Sequence, residues 1–187
     1  MISTLCNPFL TTLTFFVILS HALAATSTEF WRLLWITSFF TAIGPMLFIS
    51  WCHATGRISD LDMSVRSERE AVFGVFVAFY LGGALTAALS HAPPLLVASL
   101  AGYTANTLIV SIITRYWKIS THTLGITAPL VALWVLYRPA PLPWVLLIPL
   151  VGWARVYLKA HTIAQALAGM ALAAVTVLAF FRLYHVA

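Results

Sequence analysis

Long apolar blocks alternate with short polar ones along the whole chain. Seven apolar stretches stand out: roughly Leu5 to Ala25, Leu33 to Cys52, Ala71 to Ser90, Leu95 to Ile113, Leu124 to Tyr137, Trp144 to Leu158 and Ile163 to Tyr184. A helix crosses hydrocarbon with about 20 residues, in a range of about 17 to 25. The fifth and sixth stretches fall short of that length unless their polar flanks extend the helices, and the other five meet or approach it. The pattern predicts an all-α integral membrane protein, a bundle of six to seven transmembrane helices, with residues 1–187 forming one polytopic domain.

The punctuation between stretches sets the topology. Gly44-Pro45, midway along the second stretch, predicts a kink that neighbouring helices can satisfy. His91-Ala-Pro-Pro94 and Arg138-Pro-Ala-Pro-Leu-Pro143 read as tight turns. Two spans then separate the polar loop His53–Glu70 from the cluster around His122, and two more separate that cluster from His161. Even numbers of crossings bring all three polar segments to one membrane face.

Composition agrees: 61% of residues are hydrophobic and 8% charged, and the mean hydropathy is +0.97. The net charge of +5 comes from basic residues scattered at helix ends, not gathered in a stripe. That distribution excludes a nucleic-acid partner and suits the bilayer's anionic head groups or an anionic substrate. Cys6 and Cys52 lack metal-binding spacing and are expected to be ordinary apolar residues. Ser20 to Ala25 is similar to a signal-peptide cleavage site, but no Lys or Arg precedes it, so the first span is expected to be retained. Phe30, Trp31, Trp35, Trp51, Trp144 and Trp153 lie mostly near span ends and predict an interfacial belt. Thr104, Asn106 and Thr107 are expected to hydrogen-bond between helices. No zinc signature, P-loop or dinucleotide fingerprint is present, and no cofactor is expected.

Candidate chemistry concentrates in two basic clusters. Arg155, Lys159 and His161 lie within seven residues between two apolar runs, and Arg115, Lys118, Ser120 and His122 form a second group upstream. Hydrocarbon strongly disfavours such groups, so their clustering calls for a functional reason, and an anion beside an imidazole fits. In the loop His53–Glu70, Arg66 and Arg69 are three apart and positioned to clamp phosphate oxygens. Asp60 and Asp62 invite a magnesium reading, but a solvated loop with its own salt bridges is the favoured one, with both carboxylates at the rim of the site and no metal held.

The clusters together resemble the type 2 phosphatidic acid phosphatase (PAP2) superfamily, membrane lipid phosphatases related to vanadium haloperoxidases. Its third motif reads Ser-Arg, five residues, His, three residues, Asp; here Ala154-Arg155, Val156 to Ala160, His161, Thr162 to Ala164 and Gln165 keep the spacing. Its second motif, Pro-Ser-Gly-His, meets Ile119-Ser120-Thr121-His122. In its first motif, Lys, six residues, Arg, Pro, the Arg meets Arg69, while Asp62 stands at the Lys position and Glu70 at the Pro position. The resemblance spans about Arg57 to Gly169. It departs from the family pattern in three places: the missing first-motif Lys, Thr121 for Gly, and Gln165 for Asp.

The resemblance implies a metal-independent phosphatase acting on a lipid or isoprenoid phosphate or diphosphate. It implies His161 as nucleophile through a phosphohistidine, and His122 as acid for the leaving group. Arg69, Arg155 and Ser120 would bind phosphate, and Gln165 would orient His161 through its carbonyl oxygen. Charge alone makes Lys118 or Lys159 a replacement for the missing Lys. His122 and His161 are expected to face one cavity with Arg69 and Arg155. A catalytically silent relative that binds or moves anionic lipids, and a lipid phosphotransferase, are the competing readings. Lys and Arg count seven on the site's face (Arg57, Arg66, Arg69, Arg115, Lys118, Arg155, Lys159) against three on the other (Arg32, Arg138, Arg182). That bias gives the expectation of a cell-membrane protein with a cytoplasmic-facing site.

Overall fold

The computed structural model describes residues 7–138 and 140–185, all of its regular structure helical. Leu5 and Cys6 lie outside the described residues. Helix α1 is Pro8–Leu23 and α2 is Ser27–Ser38. A π-helical turn, Phe39–Ile43, leads directly into α3, Gly44–Ala54. Then follow α4 Arg66–Leu89, α5 Pro94–Thr114 and α6 Thr121–Tyr137. Two short helices in sequence, α7 Leu142–Val145 and α8 Leu147–Tyr157, precede α9, Ile163–Leu183. The described residues form seven apolar helical segments, one per apolar stretch. Four passes are long and apolar enough to cross a membrane: Ser27–Ala54, Arg66–Leu89, Pro94–Thr114 and Ile163–Leu183. Pro8–Leu23, Thr121–Tyr137 and Leu142–Tyr157 are shorter apolar helices. This is an integral membrane protein.

Large apolar side chains cover the outside: Leu47, Leu85, Leu167 and Val175 are exposed, as are Trp31, Trp35, Trp144 and Trp153. An exterior of this kind suits lipid and not water. The interior is closed by Phe15, Phe16, Leu19, Leu33, Leu96, Leu100 and Phe181. A second cluster, with Phe73, Phe76, Val110 and Ile119, packs beneath the polar end.

Pro and Gly positions explain the bends. The kink expected at Gly44-Pro45 takes the form of the π turn immediately before it. A proline lacks the N–H that would continue the α ladder, and the wider turn absorbs the defect. Gly44 also lets the helix approach α4, since a β-carbon there would sit 2.5 Å from the Phe79 ring. Pro129 lies inside α6 and cannot donate to the carbonyl of Gly125, four residues back. Thr11 Oγ1 of α1 donates to that carbonyl at 3.0 Å, so a neighbouring helix fills the gap.

The polar end is organised by short loops between 54 and 66, 114 and 121, and 157 and 163. Their arrival at one end follows from the parity of the passes, as expected from the sequence. At the other end Arg32 donates to the Ser90 carbonyl at 2.8 Å. The α6 and α9 starts are held close by Gly169, where a β-carbon would meet Ser120 O at 2.5 Å and Thr123 Oγ1 at 2.4 Å. Thr123 Oγ1 also donates to Ala166 O at 2.9 Å, and Ser120 N to Gln165 O at 3.3 Å. These contacts lock the second and third basic clusters side by side.

Candidate active site

His161 sits in the loop before α9, 5% exposed. Its Nδ1 lies 3.2 Å from Gln165 Oε1. The same Oε1 accepts the backbone N–H of Thr162 at 3.1 Å, while Thr162 Oγ1 accepts Gln165 N–H at 3.3 Å. This reciprocal pair is a capping box at the start of α9. It has a consequence for the imidazole. The backbone N–H of Thr162 requires an acceptor, so the Gln165 amide must present oxygen and not nitrogen. Nδ1 of His161 must therefore carry the proton, which leaves the lone pair on Nε2. Nε2 is buried and has no hydrogen-bond partner among the described residues.

Burial pushes the His161 imidazole down to about 3, with Arg69, Lys118 and Arg155 adding to the depression and the Gln165 bond opposing it. A lowered value means that the neutral ring dominates at every pH above that midpoint. His161 at neutral pH is a neutral imidazole with a free Nε2 lone pair beside three cations.

His122 lies in the first turn of α6 and is buried. Ser120 is the N-cap of that helix, fully buried, its Oγ accepting Thr123 N–H at 3.4 Å. The α6 and α9 N-termini thus both end at the polar loops, and helix N-termini favour anions. Nδ1 of His122 is buried and unpartnered among the described residues, and Nε2 lies 4.0 Å from Asp62 Oδ1.

Asp62 is the residue whose placement the sequence underspecified. Its side chain is 47% exposed at the rim, as expected, yet Oδ2 accepts from Arg155 NH1 at 3.1 Å while Oδ1 faces His122. The carboxylate spans Arg155, expected to bind phosphate, and His122, expected to be the acid for the leaving group. Asp60 does something different, accepting the Ser64 backbone N–H at 3.1 and 3.2 Å. Among the described residues no three His, Cys, Asp or Glu side chains gather as metal ligands.

Arg69 is 1% exposed. Its guanidinium donates to the carbonyls of Met63 (2.7 Å), Ile119 (3.3 Å) and Asp62 (3.3 Å). Five N–H groups are available on a guanidinium, so two remain for an anion. Arg66, expected to clamp phosphate with it, is engaged elsewhere: NH1 donates to the carbonyls of Thr114 (3.2 Å) and Arg115, at the C-terminus of α5. Of the two lysines, Lys118 is half-buried, and burial with Arg69 and Arg155 nearby lowers its ammonium from the usual value. Lys159 is exposed, with a left-handed backbone (φ 54°), and is absent from the charges acting on His161. Lys118 is the lysine that the fold brings to the site.

Both histidines stand within electrostatic reach of Arg69 and Arg155 at the polar end. A cleft below Asp62 is lined by His122 but by none of His161, Arg69 and Arg155. The Asp62 carboxylate reaches from His122 to Arg155, between the cleft and the basic group.

Fold and site together define a helical integral membrane protein with two histidines and three basic side chains at one end of its bundle. The chain belongs to the PAP2 superfamily, whose family model matches residues 68–187. That match includes Arg69, Lys118, Ser120, His122, Arg155, His161 and Gln165, and begins after Asp62. No curated protein and no solved structure matches the chain.

Two expected outcomes follow from this geometry. An NMR titration of histidine-labelled protein in detergent should show His161 neutral from pH 8 down to about pH 5, where an ordinary imidazole with a midpoint of about 6.5 is largely protonated. A midpoint near 6.5 for His161 would contradict the electropositive, buried setting described above. Asp62→Asn should tighten vanadate binding, because an internal anion competes for Arg155. Charges about 4 Å apart interact by about 1 kcal/mol in water and more in protein, so a gain of about tenfold is expected for a half-exposed carboxylate. Unchanged or weaker vanadate binding by isothermal calorimetry would show that Asp62 does not compete with the anion.

Proposed function

We propose that this protein is a metal-independent phosphatase that hydrolyses a lipid or isoprenoid phosphate or diphosphate through a phosphohistidine. The observation that carries the reading is His161 itself, with its proton fixed on Nδ1 by Gln165 and its Nε2 lone pair beside Arg69, Lys118 and Arg155.

In the first step Nε2 of His161 attacks phosphorus as the bond to the leaving oxygen breaks. His122, which takes up a proton as the phosphate anion binds beside it, gives its Nε2 proton to that oxygen, so the alcohol or phosphate leaves neutralised. Arg69, Arg155, Lys118 and the Ser120 hydroxyl balance the charge on the equatorial oxygens, aided by the α6 and α9 N-termini. In the second step neutral His122 takes a proton from water, the water oxygen bonds to phosphorus, and the Nε2–P bond breaks. Phosphate departs and both imidazoles return to their starting states. In the first step positive charge develops on His161, and Gln165 offers it an oxygen dipole in place of the family's carboxylate. In serine proteases loss of the orienting carboxylate costs about ten thousand-fold, largely through the wrong tautomer. The capping box removes the tautomer part of that cost, so phosphoenzyme formation is slowed by the missing charge alone.

The substrate reaches this site from the bilayer. Soluble segments are short, and the cleft beneath Asp62 is lined mainly by apolar side chains, among them Phe73, Phe76 and Leu124. We place the protein in the cell membrane with the site facing the cytoplasm, because Arg57, Arg66 and Arg115 flank short loops on the site's face. A silent relative that binds anionic lipids is the second reading, and the Asp62–Arg155 pair favours it.

Phosphate release by purified protein from a panel of lipid and isoprenoid phosphates separates the two. Release is expected to persist in EDTA and to fall by roughly three orders of magnitude or more in His161→Ala. No release from any member would establish the silent reading, and loss in EDTA restored by magnesium would make Asp60 and Asp62 metal ligands. For orientation, a single cysteine at Ser59, in a variant lacking Cys6 and Cys52, should resist an impermeant thiol reagent on intact cells. Its labelling there would place the site outside.

A further inference from the structure

Asn106 does not behave as a polar residue in a membrane helix is expected to. Thr104 and Thr107, its neighbours on α5, return their hydroxyls to carbonyls of their own helix, at Leu100 and Tyr103. Asn106 is 3% exposed, and its Oδ1 is buried with no hydrogen-bond partner among the described residues. Inside a bundle such an acceptor is costly to leave unsatisfied, and each instance calls for a cause.

Its surroundings supply one. Asn106 lines the cleft that opens at Asp62 and His122 and runs between α1, α4, α5 and α6. The walls are mainly apolar, yet Thr12, Tyr80, Tyr103 and Asn106 are among the lining residues. Thr12 Oγ1 donates to the Tyr103 hydroxyl at 3.2 Å, so Tyr103 accepts there and keeps its own proton to donate. Tyr80 and Tyr103 rings meet edge to face with centroids 6.1 Å apart, which fixes their hydroxyls in place. Ala128, also in the lining, stands six residues along α6 from His122, about 9 Å deeper in the bundle at the rise of an α-helix. A cleft of about 90 Å³ with mainly apolar walls thus contains, besides His122, a hydroxyl donor and an amide acceptor.

A hydrocarbon tail satisfies neither group. An ester carbonyl satisfies the Tyr103 donor and leaves Oδ1 unpaired. A secondary amide answers both, its N–H to Asn106 Oδ1 and its carbonyl to the Tyr103 hydroxyl. We propose that Asn106 and Tyr103 form a subsite for an amide linkage in the substrate's tail, so that the protein selects N-acylated lipid phosphates over esters and plain isoprenoids. This rests on the phosphatase reading for the position of the phosphate beside His122. An amide placed six to eight bonds from phosphorus spans about 7–9 Å when extended, enough to reach the level of Ala128 in the same lining. A site with a buried polar pair discriminates strongly against an analogue that lacks one partner.

The test uses two probes that differ only at the linkage, N-palmitoyl-4-aminobutyl phosphate and O-palmitoyl-1,4-butanediol phosphate. Wild-type protein in detergent should release phosphate from the amide with kcat/KM at least about tenfold higher than from the ester. Asn106→Leu, similar in size, should bring that ratio close to one. Equal rates in the wild type, or a preference that persists in Asn106→Leu, would overturn the subsite; the first result is also what a water satisfying Asn106 alone would give. Binding of both probes to His161→Ala, measured by calorimetry, gives the same comparison without turnover. If neither probe is hydrolysed but the amide binds more tightly, the phosphatase reading falls and the subsite stands. Equal binding in that case removes both.

Discussion

A guanidinium that is 1% exposed must find acceptors, and the polar end of this protein is built around the ones Arg69 finds. Its bonds to Met63, Asp62 and Ile119 pull the loop before α4 and the loop before α6 onto the same side chain. Met63 adopts a left-handed backbone (φ 49°) at the point where its carbonyl turns inward to Arg69 Nε. That bend presents Asp62 to Arg155 and His122. Breaking a buried charge from its partners is far more costly than breaking an exposed pair. Arg69 therefore organises the loops as well as contributing charge, and the Arg155–Asp62 contact depends on it.

The third cluster shows how a lost carboxylate is compensated. Gln165 serves two purposes with one oxygen, capping α9 through Thr162 and fixing the tautomer of His161. A carboxylate would have matched both donors and added charge. An amide matches both donors only if its oxygen faces them, and the backbone N–H enforces that orientation. The negative charge that the third motif lacks is found elsewhere, on Asp62, where it faces Arg155 and the other histidine. Asp62 thus brings a carboxylate to Arg155 and His122, while Gln165 brings none to His161.

Close helix contacts carry this arrangement into the membrane. Gly169 allows α9 to touch the backbone of Ser120, and the Ser120–Gln165 backbone bond then joins the two histidine segments directly. Thr11 completes the carbonyl that Pro129 leaves open, binding α1 to α6 beside the cleft. Hydrophobic burial gives little reason for helices to associate inside lipid, so small residues and satisfied carbonyls take over that task.

Much of the fold could be read from the sequence, because apolar length determines what crosses a bilayer and parity determines which loops share a face. The seven passes, the polar end and the meeting of Arg69, Arg155, His122 and His161 at that end all followed from position along helices that rise 1.5 Å per residue. The Gly44-Pro45 bend was visible as a proline, though not as a π turn. What position could not settle was which side chain meets which. Arg66 and Arg69 share a spacing, yet only Arg69 is buried among the loops while Arg66 reaches the end of α5. Lys118 and Lys159 are equal in charge, and only the packing of α5 and α6 chooses Lys118. Asp62 gave no local signal of its pairing with Arg155, ninety-three residues away. Asn106 matched the pattern of a helix-joining residue, and only the cleft beside it showed otherwise. Sequence spacing sets the height of a residue within the membrane. Its partners depend on how helices far apart in the chain rotate and pack against one another, and that is decided only when the whole bundle closes.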